Sequence, residues 1–420
     1  NRILNGRPKY EGEDDEKYGI HRSIESVIVI GWLIKAGCDI PHSAVQNWEK
    51  LKNKLPEWQD SWIDEAAGSN ESRGGWVKTN EDASLLDSVP IAQIVTVAKE
   101  NTRHLFSELT NHKPFLGLVK SKPSRAILAL GTAARRGEYP ADFWNIALSS
   151  WPDDAPTRAT HVLHGWMRRL PPKVIFEIRW NVGNWLKNEF PKLAKTNEAL
   201  AYRVFDDLVE KLLSNGSKAT ESGIVETRIV GEAVGRSRRT LSHSMNGPIG
   251  EATEGLITLL NSKKLQQGEG IPCNLKSRME RLLAAPGEGS DHAVCLLARQ
   301  IGWLNYIDPF WVSDRMTPWF NLEHPASEPA WEGILSNSWM NIHSVFGQIK
   351  ESFLALPTVM QTWAWRENSA RRAYIWVIQA SLLSSNTDVG LTYDEVRDCL
   401  RQIDQKIGRA SCRERVSSPV

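Results

Sequence analysis

The sequence predicts an all-α protein, an irregular HEAT-like α-solenoid of antiparallel helices with no exact repeat. From residue 123 onward, apolar residues recur at helical spacing in segments of roughly 10–20 residues, and Pro or Gly closes each segment. Strand signals are nearly absent from that part of the chain. Because the connections are short, successive helices become antiparallel neighbours, and a chain of 420 residues built this way stacks into an array more readily than into one globule.

Changes in composition and Gly- or Pro-rich loops divide the chain into four stretches. Residues 1–122 are expected to form an N-terminal helical segment, with a buried strand or a linker from a missing upstream domain. The upstream domain is expected because the first residues carry neither an initiator Met nor a signal peptide. Residues 123–266 and 273–406 are expected to be helical arrays, with a Gly- and Pro-rich loop between them. Residues 407–420 resemble the translation of a sequencing adapter, so we expect the natural sequence to stop near Lys406.

The first stretch is the hardest to assign. Apolar spacing predicts helices at residues 21–36, 42–54, 57–66, 84–99 and 100–110. The apolar run at residues 27–30 fits a helix or a buried strand, because short apolar runs do not distinguish the two. The longest apolar run, residues 27–34, is far shorter than the ~20 residues that cross a bilayer. We therefore expect no membrane span and a cytoplasmic protein.

Proline or a capping residue opens most helices of the two arrays. In the first array, helices are predicted to begin at Pro123, Pro140, Pro156, Asn197 and Pro248. In the second array, helices are predicted at about residues 274–285, 290–304, 308–321, 328–337, 341–355, 358–366 and 368–384. A final helix is predicted from Thr392, where Glu395 completes a capping box.

The charge balance excludes a strong field over the whole surface. Lys plus Arg number 51 and Asp plus Glu number 50, which gives a formal net charge of +1. Such a chain does not attract nucleic acid or an anionic membrane by its overall charge. Before the adapter-like tail, the cysteines stand singly, which predicts reduced thiols and neither a disulfide framework nor a zinc site.

Tryptophan is unusually frequent, with 18 Trp against 7 Tyr and 10 Phe. The rings could be stacking platforms for single-stranded nucleic acid or a peptide. We favour the alternative that they fill wide seams between helices of unequal length, because basic residues do not alternate with most of them. His161 and His164 stand at helical spacing and could share a metal, but no Glu-x-x-His partner follows, so a solvated or hydrogen-bonded pair is favoured.

No catalytic constellation can be read from the sequence. It contains neither the G-x-S-x-G elbow of acyl-transfer enzymes nor a phosphate-binding or dinucleotide-binding glycine loop. We therefore expect that the chain itself is not an enzyme and holds no cofactor or metal. Binding is its expected task.

The densest basic cluster comprises Arg236, Arg238 and Arg239, and the turn at residues 246–248 follows it. Three arginines near a helix N-terminus could grip a phosphate or an acidic loop of a partner. The alternative is a solvated positive face with no partner.

Three short patterns suggest a family. They read RRTLSHSMNGPIGEATEGL at residues 238–256, LNYIDPFW at residues 304–311 and AWEGIL at residues 330–335. Together they resemble an uncharacterised helical region of bacterial sirtuin-like antiphage defence proteins, over about residues 140–400. Family-pattern positions or candidate partner contacts are Arg236, Arg238, Arg239, Asn246, Gly247, Pro248, Gly250, Asp308, Pro309, Trp311, Trp331, Glu332 and Gly333.

The resemblance implies a sensor and regulatory region that lies C-terminal to a sirtuin-like, NAD-hydrolysing domain. The implied partner is a protein, either a phage component or that missing N-terminal domain, and self-association is compatible with the role. Catalytic motifs of the sirtuin-like domain are absent from this sequence, so no catalytic residue is carried over. A nucleic-acid-binding helical repeat protein is the alternative from another functional class, although the charge balance disfavours it. An independent hydrolase is the third and weakest alternative.

Elementary stereochemistry also assigns structural roles to the three patterns. Residues 246–248 are predicted to form a turn that supplies a positive φ and then the fixed φ of proline at a helix entry. Asp308 is predicted to cap a helix that Pro309 begins, with Trp311 facing the core. Trp331 is predicted to be a buried anchor, and Gly333 a position that lets another backbone come close.

Overall fold

The structure is a computed structural model, in which helices dominate and strands are few and short. It describes residues 15–55, 58–63, 78–105, 110–225, 228–229, 232–233, 237–337, 343–363, 372–373, 375–377 and 390–402. The predicted all-α class is confirmed. Solenoid stacking stays a prediction. The chain separates into two compact units, of which the first comprises Asn1–Thr79, His104–Asn111 and Arg228–Glu232, and the second Asn80–Arg103, His112–Thr227 and Ala233–Val420.

The first unit contains helices α1 (Asp15–Lys35) and α2 (His42–Lys52). Trp48 of α2 donates a hydrogen bond from Nε1 to the carbonyl oxygen of Val27, over 2.8 Å. Residues 27–30 lie inside α1, so they are helical and the strand alternative is wrong. Helix α1 ends at Lys35, and the turn that follows contains Gly37, whose φ of +74° is readily adopted only by glycine.

In the parts of the chain that the structure describes, five short strands interrupt the helical pattern. Strands β1 (Lys78–Asn80), β2 (Arg103–Leu105) and β3 (Thr110–His112) form a sheet of order β1-β3-β2, and β4 (Arg228–Ile229) pairs with β5 (Glu232–Ala233).

The helix predicted at residues 100–110 is therefore wrong. The preceding helix ends at Asn101, where the side chains of Asn101 and Thr102 donate back to the carbonyl oxygens of Val97 and Ala98, each over 2.8 Å. Such bonds compete with continued helix, and Thr102 has an extended backbone.

Helices make up most of the second unit. Its first part contains α3 (Ile94–Asn101), α4 (Pro114–Ser121), α5 (Pro123–Arg135), α6 (Ala141–Ser149), α7 (Thr157–Met167), α8 (Pro172–Glu177), α9 (Arg179–Asn188), α10 (Phe190–Thr196), α11 (Glu198–Ser214) and α12 (Leu241–Met245). Its later part contains α13 (Pro248–Ser262), α14 (Cys273–Leu283), α15 (Glu288–Arg299), α16 (Ile301–Ile307), α17 (Pro309–Trp311), α18 (Ser327–Leu335), α19 (His343–Val359) and α20 (Tyr393–Gln402).

The local start signals are confirmed where the chain is described. Pro123 and Pro248 occupy the first helical turn of α5 and α13, and the Asn197 side chain caps α11 by accepting from the Leu200 N–H over 3.1 Å. The capping box at α20 also forms, because Thr392 N–H donates to Glu395 Oε2 over 2.7 Å.

Three helices predicted as continuous are broken. The segment at residues 290–304 divides at Gln300 into α15 and α16, and the other two contain prolines. The segment at residues 84–99 forms 3₁₀ turns at Ser84–Leu86 and Ile91–Gln93 before α3, with Pro90 between them. The segment at residues 308–321 changes from α17 to a π-helical turn and then to a 3₁₀ turn that contains Pro318. Proline has no N–H to donate, so it disrupts a regular helix in both places.

One continuous apolar core runs through the second unit, from Leu86 to Cys399. Large tryptophan rings contribute to it, and the buried ones are Trp144, Trp185, Trp311, Trp319, Trp331 and Trp376. Trp331 is fully buried, its Nε1 donates to the Phe320 carbonyl oxygen over 3.2 Å, and its ring centroid lies 5.2 Å from that of Phe320. The prediction that Trp331 is a core anchor is confirmed.

No helix in the described parts of the chain combines the length and the apolar character that crossing a bilayer requires.

Replacing Trp331 with alanine should destabilise the second unit strongly. Truncation of a fully buried tryptophan leaves a cavity and costs roughly 3–5 kcal/mol. We expect the free energy of unfolding of Trp331→Ala, measured by urea denaturation, to fall by that amount. Trp180 is 45% exposed, so Trp180→Ala is the matched control and should lose much less. Equal losses in the two variants would contradict the core assignment.

Candidate functional site

Two of the three family-like patterns meet at one helix, α15. Helices α12 and α13 carry the first pattern and α18 carries the third, and all three pack against α15. Helix α15 itself carries none of the three patterns. Its polar residues Glu288, Asp291, His292 and Cys295 follow i, i+3, i+4, i+7 spacing, so they share one face of a largely buried helix. The helical spacing of these polar residues is the sequence signal that could have identified α15 as part of a site.

Arg238 binds Glu288 at the N-terminal turn of α15. Its guanidinium contacts the carboxylate through Nε, and through Nη2 over 3.1 Å. It also donates to the carbonyl oxygens of Ile224, over 3.0 Å, and Ser222, over 3.3 Å. Burial alone would raise the pKa of Glu288, but hydrogen bonds from Arg238 and from the Ser222 N–H outweigh it and hold the pKa below its usual value. Glu288 is therefore an anion at neutral pH.

Arg239 reaches two further carboxylates. Its Nε donates to Asp291 Oδ2 over 2.8 Å, and its Nη1 lies 3.7 Å from Glu328 Oε2 of α18. The same nitrogen donates to the Pro325 carbonyl oxygen over 3.2 Å. Burial raises the pKa of Asp291, and Arg239 offsets only part of that effect. Arg239 thus links α15 to the entry of α18.

These contacts change the interpretation of the basic cluster. Arg238 and Arg239 each hold acidic side chains of this chain, so their positive charges are compensated within the unit. The acidic counterpart predicted for a partner is present within the same unit. Arg236 lies outside the described residues.

Two buried carboxylates of α18 face the start of α12. Glu332 Oε1 accepts from the backbone N–H of Leu241 over 3.3 Å and lies 3.9 Å from Arg372 Nη1. Glu332 Oε2 is buried and has no hydrogen-bond partner among the described residues. Glu328 accepts a hydrogen bond from Ser237 Oγ, just before α12. Glu328 and Glu332 of α18 therefore hold the segment that leads into α12.

The turn at residues 246–248 differs from the prediction. Gly247 has a φ of −111°, so the expected positive φ is wrong. Glycine is required there for another reason, since a β-carbon would overlap the imidazole ring of His292. Asn246 Nδ2 donates to the Ser242 carbonyl oxygen over 2.8 Å, and Pro248 begins α13 as predicted.

His292 is a fully buried histidine in the middle of α15. Neither ring nitrogen has a partner among the described residues, and Nε2 lies 3.6 Å from Glu288 Oε2. Burial lowers the pKa of His292 to about 4, against a smaller opposing effect of Glu288. The imidazole is therefore neutral at neutral pH.

Glycines also bring backbones into contact with α15 and α12. A β-carbon at Gly333 would overlap the carbonyl oxygen of Cys295, which confirms the predicted close approach. A β-carbon at Gly250 would overlap the Ser244 carbonyl oxygen and lie 3.3 Å from Leu296 Cδ1. Burial raises the pKa of Cys295 to about 12, so its thiol stays protonated and is a poor nucleophile.

The second pattern, at residues 304–311, contains the N-terminal cap of α17. Asp308 Oδ1 accepts from the Trp311 N–H over 3.0 Å, while Oδ2 accepts from the Ile271 N–H over 3.0 Å and from Lys276 Nζ over 2.7 Å. Burial works against ionisation, but these bonds keep the pKa of Asp308 below its usual value. Pro309 begins α17, and Trp311 is buried and donates to Glu280 over 3.0 Å. The predicted cap and core contact are confirmed.

This cap presents an aromatic side chain to solvent. Phe310, between Pro309 and Trp311, is 80% exposed, and Tyr306 in the preceding helix is 46% exposed. Both residues belong to the second pattern, but the sequence predicted no role for either. Their exposure follows from the cap, because the buried neighbour Trp311 fixes which side of the turn faces the core.

Among the described residues, no group of three or more His, Cys, Asp or Glu side chains is placed to hold a metal ion. The four cysteines that the structure describes are free thiols. No protein-family model, curated protein or solved structure matches this chain.

Acid should reveal the burial of neutral His292. Its pKa falls from 6.5 in the unfolded chain to about 4 in the folded one, so only the unfolded chain binds a proton between those values. The stability that depends on a neutral His292 is thus complete above pH 6.5 and is lost as the pH falls towards 4. Between about pH 7.5 and 5, we expect His292→Leu to lose about 2 kcal/mol less stability than the wild type in urea unfolding.

The matched control is Leu296→Ala, at a buried residue of the same helix. Because that change removes no titratable group, the variant should be less stable than the wild type at every pH but keep its pH dependence. If His292→Leu also kept it, His292 would be protonated or solvated in the folded chain.

Proposed function

We propose that this chain is the sensor and regulatory helical region of a larger, sirtuin-like antiphage defence protein that depletes NAD. Its task is to bind a protein partner, either a phage component or the NAD-hydrolysing domain of the same protein. On this proposal the chain works in the cytoplasm, can self-associate, and is not itself the catalyst. The resemblance of the three patterns provides the biological setting.

The exposed ring of Phe310 is the observation that supports partner binding. Aromatic anchors dominate the binding energy of many protein interfaces. Asp308 and Pro309 hold the backbone of Phe310 through the cap, so the ring is carried by a preorganised turn. A preorganised anchor loses less conformational entropy when a partner covers it.

The nucleic-acid alternative has less support. The two described arginines of the basic cluster are already bound to Glu288 and Asp291. To bind phosphates, they would have to exchange these half-buried carboxylates for a ligand. In a chain with a net charge of +1, no overall attraction compensates for that exchange.

The test uses the full-length gene product in bacteria challenged with a panel of phages. We expect wild-type cells to be protected and to lose NAD on infection by at least one phage. Phe310→Ala should abolish both responses to that phage, because loss of an interface anchor weakens binding by about thirtyfold or more. Plaque counts and extracted NAD are the measurements.

Tyr393→Ala is the matched control, because Tyr393 is also an aromatic residue that is 80% exposed. This variant should protect like the wild type, and purified Phe310→Ala should unfold at the wild-type temperature. Full protection by Phe310→Ala would contradict its role as an anchor. A wild type that neither protects nor depletes NAD against any phage would contradict the proposed function itself.

A further inference from the structure

A cleft in the second unit lies apart from the pattern residues. It has a volume of about 620 Å³ and is lined by the end of α6, the loop that follows it, α7, α9 and α10. This volume falls in the range of roughly 300–1,000 Å³ that is usual for small-molecule sites. The cleft is large enough for a molecule of one or two rings, and the proposed function does not use it.

The most buried polar side chain of the lining is that of His164. It is only 5% exposed, and its buried Nδ1 has no hydrogen-bond partner in the part of the chain that the structure describes. Its ring packs edge-on against the buried Trp185, with 5.5 Å between the centroids. Burial lowers the pKa of His164 to about 4, with a smaller contribution from His161. A neutral imidazole offers one donor and one acceptor, and an unsatisfied one in a cleft gains most from a ligand that supplies the missing bond.

The other polar groups of the lining also both donate and accept. Asn184 and Asn188 contribute amides, which are joined to each other over 3.2 Å, and Thr160 contributes a hydroxyl. Trp151 Nε1 donates to Thr160 Oγ1 over 3.0 Å. Since this bond uses Thr160 as an acceptor, the hydroxyl proton of Thr160 remains to be donated. Groups of this kind match hydroxyl groups, which likewise donate and accept.

Charges at the rim disfavour an anionic ligand. Lys192 lies 2.8 Å from Glu189 and 3.4 Å from Asp153, so one ammonium group serves two carboxylates. The three charged groups of the lining sum to a net negative charge. A phosphate placed there would meet this negative charge and would have to displace a carboxylate from Lys192.

We propose that this cleft binds a small, neutral ring compound rich in hydroxyl groups, either a nucleoside through its ribose or a free sugar. Trp151 and Trp185 supply apolar surface for the ring, and His164, Thr160 and the two asparagines bond its hydroxyl groups. The ligand completes the hydrogen bonding of His164.

Isothermal titration calorimetry of the full chain tests this inference with defined probes. The panel comprises adenosine, guanosine, cytidine and uridine, the sugars ribose, glucose and maltose, and AMP. We expect one or more of the neutral probes to bind with one-to-one stoichiometry and AMP to bind more weakly than adenosine. Binding of a nucleoside without binding of ribose identifies the nucleoside as the source, and binding of a sugar alone identifies the free sugar.

Three variants link any binding to the cleft. His164→Phe keeps a flat ring but removes the polar group, and it should weaken the best probe about tenfold while leaving thermal stability equal or higher, because an unsatisfied buried nitrogen is lost. Asn188→Trp fills the exposed rim of the cleft and should abolish binding without changing the buried lining residues His164 and Trp185. His161→Ala, at an exposed position of the same helix, should bind like the wild type.

Any of three results would overturn the inference. The first is that no neutral probe binds at millimolar concentrations. The second is that AMP binds more tightly than adenosine. The third is that Asn188→Trp binds as well as the wild type, which would place the ligand elsewhere. None of them bears on the protection experiment, so the inference and the proposed function can fail separately.

Discussion

The close packing of α15 against its neighbours is the constraint on which the second unit depends. Helix axes normally lie 8–10 Å apart, and closer contact requires positions without a side chain. Gly333 meets the backbone of α15 at Cys295, and Gly247 meets the ring of His292. Larger residues at these positions would separate α18 or the start of α13 from α15. The family-like patterns are thus explained in large part as packing requirements.

Electrostatics reinforces the same packing. Burying the carboxylates of α15 and α18 requires cations, and Arg238 and Arg239 provide them from the segment before α12. Half-buried pairs of this kind add little net stability, but breaking one is costly because a charge is left without its partner. We infer that they fix the register of three segments distant in sequence. The Asp308 cap holds a separate turn, which carries the exposed Phe310.

Local features were predictable from the sequence, and long-range ones were not. Helix starts at prolines and at Asn197 were correct, because a cap depends on residues within one turn. The helix predicted across Thr102 failed because side-chain bonds to the backbone end it there. The pairing of Arg238 with Glu288 joins residues far apart in the chain, which no local spacing reveals. Gly247 was recognised as necessary, but the reason lay in His292, a contact that only the fold creates.

The central claim, that glycine-dependent contact with α15 organises the unit, is tested most directly by substituting Gly333 with alanine. Alanine in a helix interior normally stabilises by roughly 0.5–1 kcal/mol relative to glycine. Gly165 in α7 has open space around it, so Gly165→Ala should show this ordinary gain in urea denaturation. Gly333→Ala should instead lower the free energy of unfolding, because its β-carbon would overlap the Cys295 carbonyl oxygen. Stabilisation of both variants to the same extent would contradict the account.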